Sequence, residues 1–166
     1  MLLLSFGSNL SSTFGDRFTN IDLAVKFIES DNLKIIKKSS YYETPSYPDK
    51  KNPKFINIVL AANTNLNLVE IIPILISVEK KLGRTRSVKN EPRTCDIDII
   101  DYDQKIIIKN KKLNLSIPHP KMHKRNFVLL PLFEISKNWF HPTKKTTIKE
   151  LIYLLKTEEL KAIKLI

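Results

Sequence analysis

The sequence predicts an α+β fold: a β-α-β-β-α-β run with a mainly antiparallel sheet and C-terminal additions. Three observations carry this. Short stretches rich in Ile, Val and Leu near residues 2–6, 33–43, 55–62 and 95–101 have strand-like patterning. Between them, residues 15–30 and 67–82 show helical spacing of apolar positions or a helix-start signature. Two long proline-bearing connections, 44–54 and 84–94, then separate the elements, and loops of that length in a compact domain are functional more often than short ones. The order is that of the ferredoxin-like split unit, with helices on one face of an antiparallel sheet.

Each element has a local reason. Leu2-Leu3-Leu4-Ser5-Phe6 reads as a buried first strand, too short and too poor in basic residues for a signal peptide, and Gly7-Ser8-Asn9 ends it in a turn. Phe18, Ile21, Val25 and Ile28 fall on one stripe of the first helix, which Asp31-Asn32 breaks. In the strand at 55–62, Phe55, Asn57 and Val59 share one face and Ile56, Ile58 and Leu60 the other. Asn67 and Glu70 form a capping-box pattern for a helix reaching Leu82, with Gly83 past its end and Pro73 inside it. A short strand at 105–108 is expected to pair with 95–101 across Tyr102-Asp103-Gln104, followed by irregular chain to Pro120 and a short helix near 121–130. Thr147 and Glu150 make a second capping box, for a helix to about Lys156.

At 166 residues the chain suits one domain, 1–166, with a real core. No apolar run is long enough for a membrane-spanning helix, and the single cysteine, Cys95, fits a reducing cytoplasm. The net charge of +11 invites a nucleic-acid reading. However, 23 of the 28 basic residues are lysines spread along the chain, whereas Arg84, Arg86, Arg93 and Arg125 sit near the motifs below and only Arg17 lies elsewhere. Arginine is the better bidentate reader of phosphate, so a small polyanion such as a nucleotide is at least as good a candidate partner as DNA.

The chemistry concentrates in Arg93-Thr94-Cys95-Asp96-Ile97-Asp98-Ile99-Ile100. In a strand, Ile97 and Ile99 share one face and Asp96 and Asp98 the other, the two carboxylates about 7 Å apart from a rise of roughly 3.3 Å per residue. That spacing is too wide for a tight dyad but suits carboxylates converging on a hard cation. Mg²⁺ typically takes one or two carboxylates together with phosphate oxygens and water.

Four stretches stand together in order. They are Thr44-Pro45 with Phe55-x-Asn57; Glu79-x-x-x-Gly83-Arg84-x-Arg86; Pro92-Arg93-Thr94-x-Asp96-Ile97-Asp98; and Pro118-His119-Pro120-x-Met122-x-x-Arg125-x-Phe127-Val128-Leu129-x-Pro131-Leu132. With the Gly7-Ser8-Asn9-Leu10 turn, this pattern resembles the 6-hydroxymethyl-7,8-dihydropterin pyrophosphokinase family over about residues 5–135. The resemblance implies an α/β/α sandwich on a ferredoxin-like core. It also implies an ATP-dependent transfer of diphosphate to the pterin hydroxymethyl oxygen in folate biosynthesis, releasing AMP.

By the same resemblance, Asp96 and Asp98 hold two Mg²⁺ ions with ATP, and with Arg84 and Arg93 they form the catalytic group. Glu79, Arg84, Arg86, Arg93, His119 and Arg125 match positions at the nucleotide. Phe55 and Phe127 match the family's two pterin-stacking positions and Asn57 its edge-reading amide, while Thr44, Pro45 and Tyr47 flank the pterin edge. Aromatic faces and an amide rim are what a flat ring with edge donors and acceptors requires. The implied partners are ATP and 6-hydroxymethyl-7,8-dihydropterin, with no nucleic acid or membrane, acting on a monomer.

The chain departs from the family pattern in three places. Lys89-Asn90-Glu91 stands where many members have an arginine-tryptophan-glycine, Pro120 replaces an aromatic, and Ile76 stands where others carry a glutamine near the adenine. One rival is an RNA-binding module on a similar sheet; the acidic strand argues against it, since two carboxylates on the open face repel phosphate unless metal intervenes. The other is a degenerate family member that binds nucleotide or pterin without turnover; it would need loss of an Asp or of the arginines, and all are present.

Overall fold

The computed structural model describes residues 1–85, 91–110 and 115–166. The first half contains β1 (Leu2–Ser8), α1 (Arg17–Ser30), β2 (Lys34–Lys38), β3 (Tyr42–Thr44), β4 (Phe55–Asn63), α2 (Leu68–Lys81) and β5 (Asp96–Tyr102). The remainder contains β6 (Ile107–Asn110), β7 (Leu115–Ile117), a 3-10 turn at Met122–Lys124, α3 (Asn126–Ile135), β8 (Phe140–His141) and β9 (Thr146–Thr147). It ends with α4 (Ile148–Tyr153), α5 (Thr157–Ala162) and β10 (Lys164–Leu165). The main sheet runs β10-β3-β4-β1-β5, with β2 also on β4, and its pairings are antiparallel.

Strand alternation divides the apolar residues between two cores. Leu2, Leu4, Phe6, Ile56, Ile58, Leu60, Ile97 and Ile99 face α1 and α2, meeting Ile21, Ala24, Ile28, Ile71, Leu75 and Val78. Leu3, Val59, Ala61 and Ile100 face α3 and α4, meeting Val128, Leu129, Leu132, Ile148 and Leu151. Helices therefore cover both faces, where element order alone implied one. A register slip opposite Leu3 and Leu4 lets β5 turn Ile100 and Asp101 toward the second core, as a bulge does.

The helix caps follow their sequence signatures. Asp16 caps α1 by accepting from the Thr19 amide at 2.9 Å, and Asn32, at φ 66°, takes the left-handed conformation after the helix. Asn67 and Glu70 form the expected capping box of α2. Pro73 is accommodated in the second turn because the carbonyl it leaves free belongs to Val69, on the exposed side of the helix. Thr147 and Glu150 cap α4, which stops at Tyr153, sooner than the spacing suggested.

Three expectations need correction. The strand expected over 33–43 is two, β2 and β3, because Ser39 fills the gap between them. Its amide donates to the Val59 carbonyl at 3.0 Å and its hydroxyl accepts from the Val59 amide at 3.0 Å, so side chain replaces backbone in the ladder. The strand after Asp103 does not fold back on β5; β6 pairs with β7 instead. The outer edge of β5 is already taken, by the His119 amide donating to Ile100 at 2.9 Å and by the Glu79 carboxylate accepting from Ile97 at 2.8 Å. Finally, the helix expected near 121–130 divides into the 3-10 turn and a later α3.

Asp101 is a buried carboxylate inside the second core, accepting from the Trp139 indole at 2.9 Å. Burial pushes its pKa above the ordinary 3.8. Folding thus favours the protonated acid. The stability this contributes is complete below the ordinary value and declines as pH rises through the raised one. Asp101→Asn keeps an acceptor for Trp139 without the charge. Its urea midpoint, read by the fluorescence of this lone tryptophan, is expected to exceed that of the parent chain at pH 7, with the difference shrinking toward pH 3. A lower midpoint for the variant at pH 7 would contradict this account of Asp101.

Candidate functional site

Asn57, Asp96 and Asp98 lie at one end of the sheet, on the face that α3 covers, and most of the other predicted residues that are described reach toward them. Cross-strand register puts Asp96 beside Gly7 and Gly7 beside Asn57, then Asp98 beside Ser5 and Ser5 beside Val59. Since Val59 faces the α3 core, alternation places Asn57, Asp96 and Asp98 on that same face, beyond the apolar packing. Ile97, Ile99 and the buried Cys95 lie in the opposite core, so the strand anchors through its isoleucines and presents its carboxylates.

Each carboxylate is held by arginine. Asp96 takes Arg84 Nη1 on one oxygen and Arg93 Nη2 at 2.7 Å on the other. Asp98 accepts from Arg125 Nη1 at 2.8 Å, with His119 Nε2 at 3.9 Å from the same oxygen. Burial pushes the Asp96 carboxyl up, but the Arg93 and Arg84 charges outweigh it and its pKa lies below the usual value. Burial, only partly offset by Asp98, lowers the His119 pKa below 6.5, so the ring is neutral at pH 7. Its Nδ1 accepts from the Lys121 amide at 3.1 Å, which leaves the proton on Nε2, the nitrogen nearer Asp98.

The arginines also reach the aromatic residues. The Arg93 guanidinium lies 4.9 Å from the Phe55 ring centroid and that of Arg125 5.4 Å from Phe127, both within cation–π range. Two chains result, Asp96–Arg93–Phe55 and Asp98–Arg125–Phe127, each joining an anion, a cation and a ring. Phe127 is in the first turn of α3, where the Asn126 side chain accepts from its amide at 2.7 Å and donates to the Glu159 carbonyl of α5. The C-terminal additions thus brace this wall of the site.

Glu79 is buried behind the cationic face. Its carboxylate binds Arg84 and accepts the Ile97 amide, tying α2 to the start of β5. On the other side, Thr44 and Asn57 are both buried, and Asn57 Nδ2 donates to Thr44 Oγ1 at 3.0 Å. Pro45 follows at half-buried depth, while Tyr47 is 84% exposed. Arg86 lies outside the described residues, as do the four that follow it in the 84–94 connection.

The donor set fits a hard divalent cation. Among the described residues no group of three or more His, Cys, Asp or Glu side chains is arranged to hold a metal ion by itself. Two aspartates on one face could supply oxygen ligands to Mg²⁺, which takes one or two carboxylates together with phosphate oxygens and water. Arg93 Nε and Thr94 Oγ1 are buried without a hydrogen-bond partner among the described residues. Orphaned donors are costly, and an incoming polyanion would satisfy them. The arrangement is suited to holding a metal-bound polyphosphate against aromatic rings.

Three residues gain a place that their sequence context did not assign. Gly7 is the floor between Asp96 and Asn57: a Cβ there would meet Asn57 Oδ1 at 3.4 Å and the Phe55 ring at 3.5 Å. A glycine within a strand signals such close approach. Arg17, the arginine outside the motifs, donates to the Lys54 carbonyl at 2.6 Å and pairs with Glu43, steadying the chain that leads into Phe55. Asn9 links two loops, accepting from the Arg93 amide and donating to the Pro53 carbonyl.

A model of the 7,8-dihydro-6-hydroxymethylpterin-pyrophosphokinase (HPPK) family matches residues 3–137. The 2-amino-4-hydroxy-6-hydroxymethyldihydropteridine pyrophosphokinase of Aquifex aeolicus is 38% identical over 141 residues, covering 85% of this chain and 86% of that protein. The Bacillus subtilis protein of the same name is 37% identical over 127 residues, 76% of this chain and 74% of its own. The folic acid synthesis protein FOL1 of Dictyostelium discoideum is 36% identical over 151 residues, 91% of this chain but 22% of that protein, so the chain spans about a fifth of it. The crystal structure of wild-type Plasmodium falciparum HPPK-DHPS matches with a TM-score of 0.67 at 17% identity, covering 92% of this chain and 44% of that one; this likeness is one of fold.

The buried Glu79 yields a stability test. Glu79→Ala leaves the Arg84 guanidinium and the Ile97 amide short of an acceptor and is expected to cost about 3 kcal/mol in urea unfolding, at the low end for a broken buried pair because Asp96 remains. Glu79→Gln still accepts from Ile97 and should cost about 1 kcal/mol. Equal, negligible losses for both would show that Glu79 holds neither group.

Proposed function

The chain belongs to the 7,8-dihydro-6-hydroxymethylpterin-pyrophosphokinase family, and on that footing we propose that the face built on Asp96 and Asp98 transfers the diphosphate of ATP to 6-hydroxymethyl-7,8-dihydropterin, releasing AMP. The observation that carries this reading is the pair of chains in which each aspartate binds an arginine lying over an aromatic ring. Metal-bound triphosphate and flat pterin are the two ligands such a surface can serve together.

In this reading the pterin hydroxymethyl oxygen attacks the β-phosphorus, the bond from that phosphorus to the α–β bridging oxygen breaks, and the bridging oxygen leaves with AMP. The hydroxyl proton passes to solvent in the same transfer. Asp96 and Asp98 would hold Mg²⁺, two ions in our proposal, which neutralises charge on the triphosphate when bound. Arg84 and Arg93 exchange their carboxylate contacts for phosphate oxygens and stabilise charge that develops during transfer. Arg125, His119 and Arg86 bind the nucleotide. Glu79 acts from beneath, by fixing Arg84. Phe55 and Phe127 offer faces to the pterin, Asn57 and Thr44 read its edge, and Pro45 and Tyr47 shape the loop beside it.

The β5-β1-β4-β2 strand order supports the ferredoxin-like description of the core, and so does the element order β1-α1-β2-β3-β4-α2-β5, with β2 and β3 together in the place of one strand. The two cores share one sheet, which supports a single domain over 1–166. We further propose that the chain acts as a monomer in the cytoplasm, a reducing compartment that suits its one buried thiol.

Product analysis tests the reaction. With ATP, Mg²⁺ and the reduced pterin, AMP should form in step with pterin diphosphate; ADP instead would mean attack at the γ-phosphorus and a simple kinase. Asp96→Ala and Asp98→Ala should each lower kcat/KM on the order of 10³-fold or more while the far-ultraviolet circular dichroism stays that of the folded chain. Near-native turnover in either variant would remove that aspartate from the metal site. Phe127→Ala should weaken pterin binding about tenfold with little change in nucleotide affinity, as read by calorimetry.

A further inference from the structure

Asn9 is a buried side chain whose hydrogen bonds, among the described residues, go to the Arg93 backbone and the Pro53 carbonyl, groups that lead to the site proposed above. It is 1% exposed, at the turn after β1. Its Oδ1 accepts the Arg93 amide at 2.7 Å, and its own amide donates back to the Arg93 carbonyl at 3.0 Å. The Leu10 amide reaches that same carbonyl at 3.2 Å. The other end of the side chain, Nδ2, donates to the Pro53 carbonyl at 3.0 Å. One side chain thus grips the Arg93 backbone with one atom and the 45–54 loop with another.

The two grips meet again on the far side of the site. Arg93 sends its guanidinium to Asp96 and over Phe55, and Phe55 begins β4 two residues after Pro53. Asn9, Arg93, Phe55 and the Pro53–Lys54 backbone therefore close a ring. In that ring the Asn9 side-chain amide ties the backbone of a phosphate-reading cation to the loop that leads into a pterin-facing aromatic. The turn that carries Asn9 is itself held from the core. Asn20 of α1, fully buried, donates to the Leu10 carbonyl at 2.9 Å and accepts from the Ser12 hydroxyl at 2.5 Å. Asn9 consequently has a rigid base, as a positioning group requires.

We propose that Asn9 is a positioning residue that couples the two halves of the site, so that nucleotide drawing Arg93 into its bound position also sets the Phe55 wall for the pterin. The inference rests on the pterin pyrophosphokinase reading. A purely structural Asn9 would satisfy three backbone groups and stabilise the turn; a coupling Asn9 must in addition make the affinity for one ligand depend on the presence of the other. Coupling free energies of this kind are reciprocal and typically amount to about 5–150-fold in affinity.

The test uses the full chain with Mg²⁺, measuring pterin affinity by calorimetry with and without α,β-methylene-ATP, whose carbon bridge blocks transfer at the β-phosphorus. The parent chain should bind pterin more tightly, by about fivefold or more, when the analogue is present. In Asn9→Ala that factor should collapse toward one, while each ligand alone binds within about threefold of the parent value. Asn9→Asp retains an oxygen for the Arg93 amide but sets an oxygen against the Pro53 carbonyl, and should lose the coupling as well; it also serves if Asn9→Ala does not fold. An unchanged coupling factor in these variants, or none in the parent chain, overturns the proposal. Failure of the underlying reading is separate: the parent chain would then release no AMP from ATP and pterin.

Discussion

The open end of the sheet depends on the pairing of two aspartates with arginines. Asp96 and Asp98 project from neighbouring same-face positions of β5, and without Arg84, Arg93 and Arg125 two carboxylates would crowd the same partly shielded space. Like charges at such spacing in reduced dielectric repel strongly. Pairing removes the repulsion and also orients the arginines, whose planar guanidinium groups then lie against Phe55 and Phe127. Glu79 extends the same logic one layer down, balancing Arg84 from a position water hardly reaches.

This pairing makes the proposed chemistry an exchange rather than a creation of charge. Metal and triphosphate arriving together would take the carboxylates and the guanidinium groups respectively, so the number of opposed charges stays nearly constant while the partners change. Carboxylates already turned outward by strand alternation and cations already beside them need little reorganisation, which is the physical content of a preorganised site. The cost of holding these groups in place is carried elsewhere, by two apolar cores on either side of one sheet and by the helix caps that fix where α1 and α2 begin.

The surrounding shell relies on backbone groups as much as on side chains. Ser39 completes a ladder where the chain breaks, and the His119 amide and the Glu79 carboxylate close the outer edge of β5. An exposed strand edge invites unwanted pairing, so these contacts protect the acidic strand while delivering His119 to it. Asn126 does similar work at the start of α3, joining Phe127 to the C-terminal helix α5.

Much of this could be read from residue order, because its causes are local. Alternation in Asp96-Ile97-Asp98-Ile99 dictates which side chains are buried, the Asn67/Glu70 and Thr147/Glu150 pairs mark helix starts, and the clustering of four of five arginines around the acidic strand marks its chemistry. What depended on the assembled chain is whatever joins residues far apart in sequence. Nothing near Asn9 announces Arg93 and Pro53 as its partners, nothing near Gly7 announces the Phe55 ring above it, and the fate of β6 turns on β5 having its edge already occupied. Periodicity and capping are properties of a few consecutive residues and appear in the sequence itself. A hydrogen bond across 84 positions is chosen by packing and desolvation of the whole molecule, and it exists only once the two loops have been brought together.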